Sequence, residues 1–299
     1  MFKHILVPLD GSNLSEASLI PAAILAARFK APVTLLHVIE QDAPSEVHAD
    51  RHLTQPDEAL EYLEDIAKRS FPSKIKVKTH VHTAPVADVT RSIVEHITTE
   101  FQSDLIVICT HGKSGLRDAL FGNIAQQIAA LGKTPLLIVK PVSPRFKLEK
   151  ILVPLDPDSL HDYSFPFAES LAQAFKAKLH LLSVIPTFGT LAGEQAAAGN
   201  LMPATTQAFL DMKEENARQD LQEHVATLLK SGLSASVEMA RGDPASVITR
   251  TAESTAMDLI VLSTHRRKGM GAFWARSVSP KVAQKTKVPL LLIPLSQVE

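Results

Sequence analysis

The chain repeats itself, and that repetition restricts its fold more than any other feature. HILVPLD at 4–10 returns as KILVPLD at 150–156, and LLHVI at 35–39 returns as LLSVI at 181–185. SDLIVICTH at 103–111 answers MDLIVLSTH at 257–265, and TPLLIVKP at 134–141 answers VPLLLIPL at 288–295. The spacing is kept too: Leu6 stands to His37 as Leu152 stands to Ser183, and Asp104 stands to Pro135 as Asp258 stands to Pro289. Matching blocks in one order imply two copies of one domain. At 299 residues the chain has the length that two such domains need. The expected first domain is 1–142, closing near Val142; 143–149 is a linker and 150–299 the second domain.

Each block is a short run of Val, Ile and Leu bounded by polar or breaker residues, which suits strands buried on both faces of a parallel sheet. Helical patterns separate them. Asn13 and Glu16 are spaced as a capping box ahead of ASLIPAAILAARF. QPDEALEYLEDIAKRS and KEENARQDLQEHVATLLKSG have helix-forming composition, the latter stopping at Gly232. VADVTRSIVEHITTE follows Pro85, and PASVITRTAEST holds its counterpart. Alternation of this kind predicts right-handed βαβ units. The fold class is therefore α/β: two tandem, doubly wound, five-stranded parallel-sheet domains, Rossmann-like, with strand order 3-2-1-4-5. Residues 186–208 are extra length without a clear period, expected as a loop or partly helical flap.

Composition narrows the partners. Hydrophobic residues make up 45% and charged residues 21%, as in an ordinary globular protein, and the net charge of −1 argues against a nucleic acid duplex or an anionic membrane. One cysteine, Cys109, leaves no intramolecular disulfide to form. The apolar run in MFKHILVPLDGS is too short for a signal-peptide core or a membrane span. A cytoplasmic location is expected.

In open α/β sheets ligands sit beyond the carboxyl ends of the strands, where the strand order reverses. With order 3-2-1-4-5, that place is flanked by PLDGSN at 8–13 and THGKSGLRDALFGN at 110–123. These residues resemble the universal stress protein family, over nearly the whole chain. Its nucleotide-binding members carry a glycine, two residues, a glycine, nine residues, then a glycine and a small hydroxyl residue. The matching positions here are Cys109, Gly112, Gly122 and Asn123, with 113–121 between the glycines. Cys109 replaces the first glycine, adding a side chain that narrows the pocket, and Asn123 replaces the hydroxyl residue but can still donate through its amide.

Glycine lets main chain approach a phosphate, and a helix opening after Gly122 offers unpaired N–H groups and a positive dipole end. The resemblance implies that Asp10 meets ribose or adenine beside Pro8 and Leu9, that the Val38 backbone meets adenine, and that Thr110 opens the phosphate loop. Turn chemistry alone would also suit Asp10. In the second copy the aligned positions are Asp156, Ser263, Arg266, Arg276 and Ser277. Arginine at both glycine positions either fills the phosphate space or clasps a phosphate itself; the first is expected, making this a degenerate site.

Other signals are weighed and set aside. HGKS at 111–114 resembles the end of a P-loop, but the glycine that motif requires falls on Val107, inside a strand. His80 and His82 share one face of an extended segment, and His48 and His52 would share a face if helical. Neither pair has a further ligand at clear spacing, so solvated histidines and no metal are expected. Cys109 is expected to pack, and the run His265–Lys268 to be a solvated loop. The function implied is a non-catalytic stress-response module binding ATP or AMP, with or without Mg2+, in its first domain. Intrachain pairing of the domains is expected, with a homodimer open, and no nucleic acid or membrane partner. The alternative is a scaffold of the same fold that binds no nucleotide. An adenylating enzyme on a related fold lacks its SGGxDS loop.

Overall fold

The computed structural model describes residues 1–48, 50–110, 123–141, 146–156, 163–191, 193–264 and 277–295. They form two compact units. One is built on Met1–Phe146; the other is built on Lys147–Ser263 with 277–290, while 264 and 291–295 group with the first.

The first copy contains β1 (Ile5–Pro8), α1 (Leu19–Phe29), β2 (Val33–Glu40), a small antiparallel hairpin of β3 (Glu46–Val47) and β4 (Asp50–Arg51), and α2 (Pro56–Ser70). It continues through β5 (Val77–Val86), α3 (Val89–Glu95), β6 (Leu105–Cys109), α4 (Asn123–Leu131) and β7 (Leu136–Val139). Its parallel strands lie in the order β5-β2-β1-β6-β7, the expected 3-2-1-4-5. Ile5 sits opposite Val33 on one side and Leu105 on the other. Ile5, Leu6, Leu35, Leu36, Leu105 and Ile106 are all but fully buried, which explains why the central strands read as unbroken apolar runs.

The second copy contains β8 (Lys150–Leu155), α5 (Phe165–Phe175), β9 (Lys178–Ile185), α6 (Glu194–Leu201), α7 (Pro203–Lys230) and β10 (Ala235–Arg241). Then follow α8 (Pro244–Ser254), β11 (Leu259–Thr264), α9 (Val278–Lys285) and β12 (Leu290–Pro294). The order repeats as β10-β9-β8-β11 and then β12.

The repeat reaches into backbone detail. Lys30 and Lys176 both end their helices in the left-handed region, at φ 56° and 57°. The Asp104 carboxylate accepts the N–H groups of Lys3 and His4, and Asp258 accepts those of Glu149 and Lys150. Asp88 caps α3 through the Arg91 N–H, and Asp243 caps α8 through the Ser246 N–H. In α2, Pro56 opens the first turn, with Asp57 and Glu58 near the positive end of the dipole and Lys68 and Arg69 near the negative end.

Three local expectations change. Asn13 and Glu16 form no capping box. A 3-10 turn, Ser15–Ser18, precedes α1; Asn13 binds the Asp50 carboxylate through backbone and side chain, and Glu16 takes Arg69 at 2.7 Å. Second, 186–208 is mainly helical: a 3-10 turn, Phe188–Thr190, leads into α6, and α7 begins at Pro203. Third, His48 and His52 lie in and just after the β3–β4 hairpin, so they share no helix face.

Candidate functional site

The site grows from the carboxyl end of β1. Leu9 is buried, its N–H donating to the Leu36 carbonyl, so the chain leaves the sheet in a fixed direction. Asp10 follows, and its Oδ1 accepts the Ser12 N–H at 2.9 Å and the Ser12 hydroxyl at 2.6 Å. This local turn orients the carboxylate. Oδ2 faces His48 Nε2 at 3.6 Å, and the side chain keeps 37% of its surface exposed. Asp10 thus makes a turn and keeps an acceptor exposed to solvent.

Gly11 is needed for this turn. Its φ is +88°, and a Cβ there would stand 2.8 Å from both Cγ and Cδ1 of Leu53. Gly11→Ala is expected to destabilise the first copy by about 1–3 kcal/mol, the range for a non-glycine residue held in such backbone. Urea denaturation checks this; an unchanged midpoint would show that Leu53 and the turn yield freely.

His37 holds the next layer. It is 1% exposed, with Nδ1 at 2.8 Å from the Leu9 carbonyl and Nε2 at 3.0 Å from the Leu53 carbonyl. The imidazole thus spans from the end of β1 to the segment that follows the β3–β4 hairpin. The second copy has Ser183 at the matching place, with a buried hydroxyl that has no partner among the described residues. Val38 is buried one residue on, just before the register shift between β2 and β5.

At the carboxyl ends of β6 and β7 the chain brings together Cys109, Thr110 and Lys140. Lys140 Nζ donates to Thr110 Oγ1 at 3.0 Å. Burial lowers the Lys140 pKa, with Cys109 acting the other way. Burial also pushes the Cys109 thiol up to about 12, against the opposing pull of Lys140. Such a thiol stays protonated and packs rather than attacks. Lys140 lies in TPLLIVKP, which reads as strand, so only the register of β6 against β7 reveals it as a cation beside Thr110.

Gly112, Gly122, Arg266 and Arg276 lie outside the described residues, as do HGKS, Val142 and the run from His265 to Lys268. Asn123 is the first residue of α4. In the second copy Asp156 follows β8 and is exposed. Ser277 precedes α9, and its hydroxyl lies 3.4 Å from that of Ser279, which donates to the Ser263 carbonyl. The Ser263 hydroxyl is buried without a hydrogen-bond partner among the described residues. The Lys140 counterpart is Pro294, so this copy lacks the cation. Among the described residues, no helix is long and apolar enough to cross a membrane.

A repeated doubly wound α/β domain defines the class of this protein. The comparisons give the family. The universal stress protein family model matches residues 1–140 and again 147–294, and the chain belongs to that family. Universal stress protein MJ0531 of Methanocaldococcus jannaschii is 27% identical over 145 residues, 47% of this chain and 83% of its own length. YxiE of Bacillus subtilis is 26% identical over 152 residues, 47% of this chain and all of its own. Among solved structures, a universal stress protein from Archaeoglobus fulgidus superposes with a TM-score of 0.71 at 18% identity, covering 97% of this chain and 98% of that one. A putative universal stress protein from Pseudomonas aeruginosa gives 0.68 at 18% identity, over 98% and 93%. Both likenesses extend over the tandem arrangement as a fold.

Proposed function

We propose that the first copy binds an adenine nucleotide, ATP or AMP, with or without Mg2+, as a ligand and not as a substrate. The observation that carries this reading is the pair of opposite charges at the sheet switch point. Asp10 presents an oriented carboxylate after β1, and Lys140 presents a cation at Thr110 after β6. The carboxylate suits ribose hydroxyls or the adenine amine, and the cation suits a phosphate. The spacing of Cys109, Gly112, Gly122 and Asn123 supports the same ligand, as do Pro8, Leu9 and Val38 at the ends of their strands.

In this reading the domains are 1–142 and 150–299, and the protein works in the cytoplasm. The apolar last strands, PLLIVKP and PLLLIPL, favour pairing of the two copies within the chain, with a homodimer as a further assembly. Bound nucleotide shifts conformation or assembly only by its differential affinity for the two states. Arg266 and Arg276 support the second reading, a binding-silent interaction module, for the second copy alone.

Calorimetric titration tests the placement. Asp10→Ala removes a charged acceptor and is expected to weaken ATP and AMP about tenfold or more. Gly122→Val obstructs main-chain approach to the phosphates and is expected to weaken ATP at least as much. Melting curves show whether each variant remains folded. Equal affinity in wild type and both folded variants rules the placement out.

A further inference from the structure

We propose that His80, His96 and Glu100 bind one divalent transition-metal ion of the zinc type, at a site on the first copy separate from the nucleotide site. The two histidines are far apart in sequence. The fold sets α3 and the π-helical turn that continues it, His96–Phe101, so that His96 comes beside His80 of β5. Because His96 and Glu100 are four apart on that turn, they project together. Wide turns of this kind are frequent at functional sites.

The distances fit a small coordination shell. Glu100 Oε1 lies 3.5 Å from His80 Nδ1, and Oε2 lies 3.6 Å from His96 Nε2. The three potential ligand atoms all fall within 4.8 Å of one another. Tetrahedral zinc, with bonds of about 2.0–2.1 Å, sets its ligand atoms about 3.3–3.4 Å apart, so small side-chain rotations suffice. Two imidazoles and one carboxylate leave a fourth position. The His82 ring, 4.9 Å centre to centre from His96, is the nearest further imidazole.

The surroundings prepare the donors. His96 is 9% exposed, and its Nδ1 lies 2.7 Å from the Ser92 carbonyl. Nε2 faces Glu100, and because a carbonyl only accepts, Nδ1 donates to Ser92. This is the second-shell bond that fixes ligand histidines. Phe101 packs against both rings, edge-on to His80 at 5.1 Å and stacked on His96 at 5.9 Å.

The second copy supplies an internal contrast. Thr251 follows the cap residue Asp243 as His96 follows Asp88, and Thr255 matches Glu100. On the strand, Glu238 pairs with Leu182 as His80 pairs with Leu36, and Ala240 pairs with Val184 as His82 pairs with Val38. Thr251 Oγ1 lies 3.5 Å from Glu238 Oε1, so the same two positions also meet there, with a hydroxyl and a carboxylate in place of the two imidazoles, and Glu238 takes His180 Nε2 at 3.0 Å instead. The shared fold therefore does not require histidines at these places.

Competition of Zn2+ against a chromogenic chelator, with the full chain, is the test. Wild type is expected to take up one ion per chain. His96→Asn keeps a donor for the Ser92 carbonyl while removing Nε2, and the half-exposed Glu100→Gln keeps shape while removing charge. Each is expected to lose about 100-fold or more in affinity, at or beyond the loss typical of removing a second-shell partner. Co2+ should show four-coordinate visible bands in wild type that vanish in His96→Asn. Uptake that is absent in wild type, or unchanged in Glu100→Gln, overturns the site; unchanged uptake would place the ion on the chain's other histidines.

Discussion

Titrated with ATP or AMP, the chain is expected to take up one nucleotide, and Gly112→Arg is expected to abolish that uptake. Two copies of one fold, each with an aspartate after its first strand, would suggest two sites. The phosphate loop separates them. In the proposed reading the sequence differs there: glycine at 112 and 122 has no side chain to obstruct a phosphate, whereas arginine stands at 266 and 276. Lys140 adds a second difference, because Pro294 replaces it. Writing the second copy's arginine into the first therefore asks whether that residue alone silences a site. A loss of about 100-fold, or roughly 3 kcal/mol at 1.4 kcal/mol per tenfold, is the expected scale. Two equivalent sites in wild type would mean that the arginines clasp phosphate instead of excluding it. A single site that survives Gly112→Arg would move binding away from this loop.

How much of this was legible before any coordinates depended on how local the cause was. Strands such as ILVPL and DLIVIC are buried on both faces, so their apolar runs declare them, and the repeat fixed their correspondence. The end of α7 also declared itself through Gly232, whose positive φ acts within a turn. The entry to α1 did not, because Asn13 is claimed by Asp50 and Glu16 by Arg69, both from later in the chain. Residues 194–212 hid their helical character because Gly193, Gly199 and Pro203 interrupt the apolar period.

The site divides the same way. Asp10 was visible as the residue after a buried strand, within a motif. Gly11, His37 and Lys140 were not, since each acquires its role from a partner that only the fold supplies: Leu53 for the first two and Thr110 for the third. The histidine cluster is the extreme case. His80 and His82 were seen as a pair lacking a third ligand, and that ligand arrives from α3 and its π turn. Sequence spacing detects metal sites whose ligands share one element, and it is blind to those assembled across a strand and a helix.

Lys140→Met separates recognition of phosphate from recognition of the nucleoside. Lys140 is partly desolvated, and burial is the leading cause of its lowered pKa, so its charge opposes folding to some degree instead of supporting it. Methionine keeps most of the side-chain length and removes the charge. The melting temperature is therefore expected to hold or rise, with Thr110 Oγ1 free to bond water in place of Nζ. ATP affinity is expected to fall about ten- to a hundredfold, the equivalent of one charge-assisted hydrogen bond of about 1.5–3 kcal/mol. Adenosine has no phosphate and should bind both proteins alike. The salt dependence of ATP binding should also become shallower, since a cation has left the site. If the variant lost ATP and adenosine in equal measure, Lys140 would be shaping the pocket through Thr110 and Cys109. If it lost neither, the phosphates would lie elsewhere, and the charge pair that carries the proposed function would have to be abandoned.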